Sequence, residues 1–200
     1  VAVTGSNGKS TTASLLHHIF SELGYKSQLA GNIGRGVLDI DPPENNELIV
    51  LELSSYQTEV ARILSPDLAI CTNFSADHLE RHGGIGGYLA AKRRLFTEGC
   101  PDYSIIGVDE LAGRNLAQQL SASIGDESII RVSARKQMRR FDWSIFLDAG
   151  YLVEHRKGKQ INSIDLKVFD NFVGLHSYQN AASAYAACRA LGLSPRKIIE

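Results

Sequence analysis

Apolar residues lie in short runs that alternate with longer stretches in which they recur every three or four positions. The first run, at residues 1–3, leads into a turn of small residues. After the turn, apolar side chains at Leu16, Ile19, Phe20 and Leu23 fall on one face of a helix with 3.6 residues per turn. The pattern therefore predicts a buried strand, a turn and an amphipathic helix at the start of the chain.

The same alternation continues through the middle of the chain. Residues 48–53 and 68–72 are near-continuous apolar runs, which are typical of strands buried on both faces of a parallel sheet. Strands alternating with helices predict an α/β fold with a mainly parallel sheet flanked by helices. The remaining predicted strands are residues 25–30, 103–108 and 128–132, and the remaining predicted helices of this region are residues 88–96 and 111–120.

The pattern of apolar and polar residues changes near residues 143–166, where three short segments alternate apolar and polar positions. Turns that contain Gly150 and Gly158 separate these segments. This pattern predicts a small region of antiparallel hairpins at one side of the domain. An alanine-rich helix follows, and we expect it to end at Gly192.

Composition and charge narrow the possible classes of function. With 200 residues, the chain suits one sizeable domain. Its formal net charge of -1, with acidic and basic residues intermixed, predicts no nucleic-acid partner. No apolar run is long enough to span a membrane and no signal-peptide pattern is present, so we expect no membrane insertion and a cytoplasmic location. The 3 cysteines are far apart without zinc spacing, and we expect reduced, mostly buried thiols.

The turn at residues 4–11 reads Thr-Gly-Ser-Asn-Gly-Lys-Ser-Thr, which is typical of a phosphate-binding loop. In such a loop, backbone N–H groups point at an anion, a lysine adds positive charge, and the next hydroxyl can ligate Mg²⁺. The fit is imperfect, because Val3 stands where the general pattern has its first glycine; a plain helix start with a solvated lysine is the alternative. The loop predicts a P-loop NTPase-like sheet that binds a nucleoside triphosphate. The residues expected to bind it are Gly5, Ser6, Asn7, Gly8, Lys9, Ser10 and Thr11.

Glu52 stands near the carboxyl end of the apolar run 48–53, where a carboxylate is costly unless it is paired or liganded. In an open α/β sheet, ligands bind beyond the carboxyl ends of the strands, where the loop at Lys9 also opens. We therefore hypothesise that Glu52 ligates or orients Mg²⁺. An ordinary salt bridge at a strand end is the alternative.

Several further segments, together with the loop, resemble a known family. In their order along the chain they are similar to the Mur ligase family, which also includes folylpolyglutamate synthase and cyanophycin synthetase. The form at residues 51–57 resembles the members that add D-glutamate. The segments are Gly-Asn-Ile-Gly at 31–34, Leu-Glu-Leu-Ser-Ser-Tyr-Gln at 51–57, Asn-Phe-Ser-Ala-Asp-His at 73–78, the helix at 88–96 and Gly-Leu-His-Ser-Tyr-Gln-Asn at 174–180.

The resemblance implies roles for residues at matching positions. Asn32 would contact the muramoyl-alanine substrate, and His78 would reach the acyl substrate and a second Mg²⁺. Lys92 would be carbamylated, which converts a cation into an oxygen ligand for that Mg²⁺. Charges that are merely solvated are the alternative on this helix. Asn180 would border the adenine of ATP together with Ser177, which stands where the family has an asparagine.

For the whole chain, the resemblance implies that residues 1–200 are the central ATP-binding domain of a longer ligase, without its N-terminal UDP-binding and C-terminal amino-acid-binding domains. The implied enzyme is a cytoplasmic monomer of peptidoglycan synthesis. It would ligate D-glutamate to UDP-N-acetylmuramoyl-L-alanine through an acyl phosphate, with ATP and Mg²⁺ at two sites, and residues 1–200 alone would be inactive. The implied catalytic residues are Lys9, Glu52, His78 and Lys92, and the implied metal ligands are Ser10, Glu52, His78 and Lys92.

Three alternatives to this reaction stay open. The first is another amino-acid ligase of the same family, which would use the same loop with a different amino acid. The second is a P-loop kinase or switch GTPase, which would transfer phosphate to an alcohol or to water. The third is a nucleotide-binding module without catalysis.

Overall fold

Parallel strands form the centre of the fold in a computed structural model, which describes residues 1–75, 82–169 and 174–200. Over these ranges the strands are β1 (Ala2–Thr4), β2 (Ser27–Gly31), β3 (Leu48–Glu52), β4 (Leu68–Cys71), β5 (Tyr103–Gly107), β6 (Ile129–Ser133), β7 (Trp143–Asp148), β8 (Tyr151–Arg156) and β9 (Lys159–Asp165). The α-helices are α1 (Lys9–Glu22), α2 (Ser55–Val60), α3 (Ile85–Thr97), α4 (Leu111–Ile124), α5 (Leu175–Ala190) and α6 (Pro195–Ile199). Short 3₁₀ helices lie at Val37–Asp39, Asp126–Ser128 and Leu166–Val168.

The strands of the described ranges form one sheet in the order β2-β3-β1-β4-β5-β6-β7-β8-β9. Neighbouring strands from β2 to β7 are parallel, whereas β8 and β9 are antiparallel additions. Val3 lies opposite Glu52 on one side and Ile70 on the other, so the carboxyl ends of β1, β3 and β4 meet at one edge. The predicted α/β fold with a mainly parallel sheet flanked by helices is confirmed.

Helices cover both faces of this sheet. On one face α1 and α5 pack against the strands, and α1 buries Leu16 and Phe20 completely, as its apolar stripe predicts. On the other face α3 and α4 form a second core through side chains such as Leu95 and Leu116. No helix in the described ranges combines the length and the apolar character that crossing a bilayer requires.

The alanine-rich helix α5 is buried on all sides along most of its length. Residues 179–188 are all buried. Ala184, Ala186 and Ala187 are 0% exposed, so the small side chains let the helix lie close to the sheet and to α1. A helix buried all round needs no single apolar stripe, which explains why composition indicates this element better than periodicity does.

The predicted hairpin region extends the main sheet. β7 is parallel to β6 on one side and antiparallel to β8 on the other. Both hairpin turns have positive φ at their two central residues: Ala149 (51°) and Gly150 (89°) in the first, and Lys157 (50°) and Gly158 (73°) in the second. Two-residue turns with positive φ at both positions suit the twist of antiparallel strands. The antiparallel hairpins are confirmed, and the parallel pairing of β7 is an addition to the prediction.

The helix α2 is an element that the apolar pattern does not predict. Ser54 Oγ accepts a hydrogen bond from the Gln57 N–H at 3.3 Å, and Gln57 Oε1 accepts one from the Ser54 N–H at 2.9 Å. This reciprocal pair is a capping box, which satisfies two N–H groups at the helix start. The helix has six residues, which is too few for a repeated apolar spacing to be recognised.

Two of the three cysteines are buried. Cys71 and Cys188 lie in the core, and Cys100 is exposed; all three are free thiols. Burial raises the pKa of both buried thiols to about 12. They therefore stay protonated at neutral pH. The burial of two of the three cysteines confirms the expectation of mostly buried thiols.

A buried carboxylate joins the hairpins to α5. Glu154 on β8 is 1% exposed, and its oxygens accept hydrogen bonds from Trp143 Nε1 (3.2 Å), the Tyr185 hydroxyl (2.8 Å) and Arg189 Nε (2.8 Å). Burial raises the pKa of Tyr185 well above its ordinary value, so the phenol remains a donor. A buried charge is tolerated only when it is paired and hydrogen-bonded. Tyr185 and Arg189, the two donors on α5, therefore fix this helix on the sheet.

We expect Glu154→Ala to destabilise the fold strongly. The substitution leaves the Arg189 guanidinium, the Tyr185 hydroxyl and the Trp143 N–H without their shared acceptor. Breaking a buried ion pair in this way costs about 3 kcal/mol or more, which urea denaturation followed by circular dichroism would measure. Asp41→Ala is the control, because Asp41 pairs with Arg35 at the surface and should affect unfolding little. Equal effects of the two substitutions would contradict this role of Glu154.

Candidate functional site

The predicted phosphate loop follows β1 and is closely packed on two sides. Gly5 and Gly8 have φ of 144° and 79°, in the region that favours glycine. A Cβ at Gly5 would lie 2.0 Å from Thr72 Oγ1, and a Cβ at Gly8 would lie 2.0 Å from Asn180 Oδ1. The loop can therefore take this position only because both residues lack a side chain.

The segment after β4 holds the loop in place. The N–H groups of Ser6 and Asn7 donate to the backbone oxygen and Oδ1 of Asn73, at 3.0 and 2.9 Å. In return, Asn73 Nδ2 and Thr72 Oγ1 donate to the Asn7 carbonyl at 2.9 and 2.6 Å. Ser6 Oγ also lies 2.6 Å from the Tyr88 hydroxyl. Ser6 and Asn7 thus use their amides to fix the loop.

The first turn of α1 supplies the remaining donors of the loop. The first N–H groups of an α-helix have no acceptor within the helix and can bind an anion. α1 begins at Lys9, directly after Gly8, and Ser10 and Thr11 are exposed on this turn. Lys9 Nζ donates to the Ser6 carbonyl at 3.0 Å, which places its charge over the loop. The arrangement can hold a phosphate group with backbone N–H groups and one ammonium.

Two predicted metal ligands, Ser10 and Glu52, meet the predicted substrate contact Asn32 at the end of β3. Ser10 Oγ donates to Glu52 Oε2 at 3.0 Å, and Asn32 Nδ2 approaches Glu52 Oε1 at 3.5 Å. The Asn32 N–H also donates to the Glu52 carbonyl at 2.9 Å. Glu52 is 0% exposed, and within the described ranges no lysine, arginine or histidine forms a salt bridge with it. The alternative of an ordinary salt bridge has no support in that part of the chain.

The donor set at Glu52 suits a hard cation. A carboxylate and a hydroxyl are the oxygen ligands that Mg²⁺ prefers, usually with substrate phosphates and water as the other ligands. Over the described ranges, no three His, Cys, Asp or Glu side chains cluster as a metal site. One carboxylate beside a phosphate loop is nevertheless enough for Mg²⁺ that arrives with a nucleotide, so Ser10 and Glu52 fit this ion.

Lys92 reaches the loop from α3. It is 1% exposed, and its Nζ donates to the Gly5 carbonyl at 2.6 Å and lies 4.8 Å from the centre of the Tyr88 ring. The next residue, Arg93, is exposed. The alternative of merely solvated charges on this helix is therefore wrong for Lys92 and holds for Arg93.

The remaining predicted residues lie at the start of α5 or outside the described ranges. Asn180 is 7% exposed and packs on Gly8. Ser177 is half-buried in the first turn of α5, where its N–H donates to the Gly174 carbonyl at 3.1 Å. His78 lies outside the described residues. The structure thus brings the loop, Asn32, Glu52, Lys92 and Asn180 together at one edge of the sheet.

Sequence reasoning assigned no role to Thr72 and Asn73, although both contact the loop. Asn73 also lies between Asn7 and Gln179, whose Oε1 is 3.5 Å from Asn73 Nδ2. Their position could have indicated this contact. Both are polar residues directly after the buried strand β4, and the carboxyl end of β4 lies next to that of β1, which leads into the loop.

The chain matches a known protein family over most of its length. The sequence pattern of the family described as "Mur ligase middle domain" matches residues 3–188. A protein of Cereibacter sphaeroides called UDP-N-acetylmuramoylalanine--D-glutamate ligase is 61% identical over 198 residues, which cover 99% of this chain and 43% of that protein. A protein of the same name from Ruegeria pomeroyi is also 61% identical, with 99% and 42% covered. The chain thus spans less than half the length of these relatives.

Solved structures show the same fold at lower identity. A UDP-N-acetylmuramoyl-L-alanyl-D-glutamate--2,6-diaminopimelate ligase has a TM-score of 0.73 and 20% identity, with 99% of this chain and 44% of that chain covered. UDP-N-acetylmuramate-alanine ligase from Thermotoga maritima has a TM-score of 0.61 and 22% identity, with 99% and 43% covered. At these identities the likeness shows a shared fold.

We expect Gly8→Ala to weaken nucleotide binding, because the new Cβ would clash with Asn180 and move the loop. Gly24→Ala is a matched control: Gly24 has nearly the same φ, 78° against 79°, but no atom lies within 4 Å of the position that its Cβ would take. Titration of the full-length protein with a fluorescent ATP analogue should show about tenfold or more loss of affinity for Gly8→Ala, which corresponds to about 1.4 kcal/mol or more. The control should keep the affinity of the unaltered protein. An equal loss in both variants would attribute the effect to backbone strain alone.

Proposed function

We propose a function for this chain on the ground that it belongs to the Mur ligase family. The chain would form the central, ATP-binding domain of an enzyme that ligates D-glutamate to UDP-N-acetylmuramoyl-L-alanine in peptidoglycan synthesis. The names of the relatives from Cereibacter sphaeroides and Ruegeria pomeroyi support this choice of substrates. The UDP-binding and amino-acid-binding domains of the whole enzyme would lie outside residues 1–200, and these residues alone would ligate little or nothing.

The observation that carries the proposal is the contact between Ser10 Oγ and Glu52 Oε2 beside the phosphate loop. It joins a phosphate-binding loop to a buried carboxylate, which suits a triphosphate with Mg²⁺. When bound, this Mg²⁺ would neutralise charge on the phosphate oxygens. Ser10 and Glu52 would hold the ion, and Lys9 with the amides of the first turn of α1 would stabilise charge on the transferring phosphoryl group.

The proposed reaction has two steps. The terminal carboxylate of UDP-N-acetylmuramoyl-L-alanine attacks the γ-phosphorus of ATP, and ADP leaves as the acyl phosphate forms. The amine of D-glutamate then attacks the acyl carbon, and phosphate leaves through a tetrahedral intermediate as the amide forms. The protein contributes mainly position and charge neutralisation to both steps. Asn32, next to Glu52, would contact the substrate that carries the carboxylate.

Lys92 is proposed to act as a carbamate. Its neutral amine would add to CO₂ with loss of one proton, which gives an anionic oxygen ligand in place of a cation. The carbamate nitrogen keeps one N–H, so it can retain the hydrogen bond to the Gly5 carbonyl. With His78, the carbamate would hold a second Mg²⁺ and orient the carboxylate of the substrate.

The nucleotide base is proposed to lie near the start of α5. Asn180, which packs on Gly8, and Ser177 would border the adenine. Serine has less reach than the asparagine of the family, so its contact would be shorter or mediated by water. The whole enzyme is proposed to be a cytoplasmic monomer.

The substrate assignment predicts phosphate release that depends on D-glutamate. The full-length protein would be incubated with ATP, Mg²⁺ and UDP-N-acetylmuramoyl-L-alanine, with and without the amino acid, and free phosphate would be measured. We expect release only with D-glutamate, because the acyl phosphate waits for the attacking amine. L-Glutamate, L-alanine and diaminopimelate are the controls. Release with one of these instead would assign another ligase of the family, and release that ignores the amino acid would contradict ligation.

The role of Glu52 predicts that Glu52→Gln lowers activity with little change in folding. Glutamine keeps the shape and an acceptor for Ser10 but loses the negative charge that would hold Mg²⁺. We expect kcat to fall by about 100-fold or more and half-maximal activity to need more Mg²⁺. Glu22→Gln, at the exposed end of α1, is the matched control and should behave as the unaltered protein. Unchanged Mg²⁺ dependence in Glu52→Gln would refute metal ligation by Glu52.

A further inference from the structure

A second concentration of charge lies outside the candidate site, in the connection between β6 and β7. Residues 134–141 include Arg135, Lys136, Arg139 and Arg140 and no acidic residue. Because β6 and β7 are parallel, this connection has to return along a face of the sheet from the end of one strand to the start of the next. The charge is local, since the whole chain has a formal net charge of -1.

This connection and α4 border a cleft of about 670 Å³. Its size is within the range of small-molecule sites. Four cationic side chains line it, and none of its lining residues in the described ranges is acidic. The cationic side chains are Arg114, Arg131, Lys136 and Arg140.

Arg131 is the innermost of these cations. It is 5% exposed, its Nη2 pairs with Asp126 at 2.7 Å, and its guanidinium lies 4.2 Å from the centre of the Phe141 ring. Its Nη1 is also buried but has no hydrogen-bond acceptor among the described residues. A buried guanidinium N–H without an acceptor is costly. Because Arg131 lines the cleft, an anion bound there would lie next to this guanidinium.

The charge balance of the cleft favours an anion with more than one negative charge. Asp126 neutralises one of the four cations. Arg114 uses Nη1 on the carbonyls of Val108 and Asp109 and keeps its charge. Lys136 and Arg140 are exposed at the rim. Arg114, Lys136 and Arg140 have no acidic partner among the described residues. Guanidinium groups match phosphate oxygens in geometry, and phosphate esters and polyphosphates carry the multiple charge that these three cations would attract.

The cleft is separate from the phosphate loop. In the sheet order, β4 and β5 lie between β1, which leads into the loop, and β6, which carries Arg131. Three strand spacings correspond to about 14 Å. In addition, α4 lies on one face of the sheet, where its Leu116 and Leu120 enter the core, whereas α1 packs on the opposite face. A ligand of the cleft is therefore distinct from a nucleotide at the loop.

We propose that this cleft is a second ligand site, which binds a small anion of the phosphate ester or polyphosphate class between Arg131 and the rim cations Lys136 and Arg140. The site is independent of the reaction proposed for the loop. It uses a segment of the chain that contributes no residue to that reaction.

The test measures binding of inorganic pyrophosphate to the full-length protein by calorimetry. The protein carries Lys9→Ala to weaken anion binding at the loop, and the buffer contains no Mg²⁺ and has constant ionic strength. We expect saturable binding that Lys136→Gln with Arg140→Gln weakens about tenfold or more. The matched control is Arg135→Gln with Arg139→Gln. This pair removes the same charge from the same segment, but neither residue lines the cleft, so affinity should change by less than about twofold.

Several results would overturn the proposal. Absence of pyrophosphate binding would overturn it, and this result is expected if another part of the full-length chain fills the cleft. Equal weakening by the two pairs of substitutions would indicate a general effect of surface charge. Citrate provides a carboxylate of similar charge, and citrate binding as tight as that of pyrophosphate would contradict the phosphate class. All four substituted residues are exposed, so melting temperatures close to that of the Lys9→Ala protein should verify the folding of both variants.

Discussion

The close approach of two side chains, Thr72 and Asn180, to the loop after β1 is the constraint on which the candidate site depends. Gly5 lies against Thr72, and Gly8 lies against Asn180, at distances that leave no room for a Cβ. The end of β4 and the start of α5 are thereby fixed relative to the N-terminus of α1. Because a phosphate site of this kind consists of backbone N–H groups, their positions depend on this packing more than on any one side chain. The glycines of the motif therefore act through tertiary structure as well as through local backbone freedom.

Two buried charges lie on different sides of this loop. The Glu52 carboxylate meets Ser10 at the start of α1, and the Lys92 ammonium meets the Gly5 carbonyl from α3. Both side chains are almost fully buried, which costs free energy that neutral residues at these positions would avoid. Such costs are typical of functional sites, where charge is placed for a ligand rather than for stability. Together with the phosphate loop, they form an edge of the sheet suited to a nucleotide and its metal ion.

The sequence predicted those features that follow from local pattern and from the geometry of parallel strands. The apolar runs identified β3 and β4, and the rule that carboxyl ends share an edge predicted that Glu52 would lie near Ser10. It did not predict α2, because a capping box specifies this helix and its apolar pattern is too short. Nor did it predict the burial of Lys92 or the parallel pairing of β7 with β6. Both features depend on which surfaces meet in three dimensions. The residues next to Lys92 or β7 in the sequence do not indicate which surfaces these will be.

The helix α5 illustrates how packing far from the loop contributes to the position of one side chain within it. Asn180 and Arg189 are nine residues apart, which at 100° per residue places them on opposite sides of the helix, separated by about 13.5 Å along its axis. Asn180 meets Gly8, while Arg189 and Tyr185 meet the buried Glu154 of the hairpins. A shift of α5 by one residue would rotate it by about 100° and break both sets of contacts together. The hairpin region, which has no residue in the candidate site, therefore fixes the rotation of the helix that brings Asn180 to the loop.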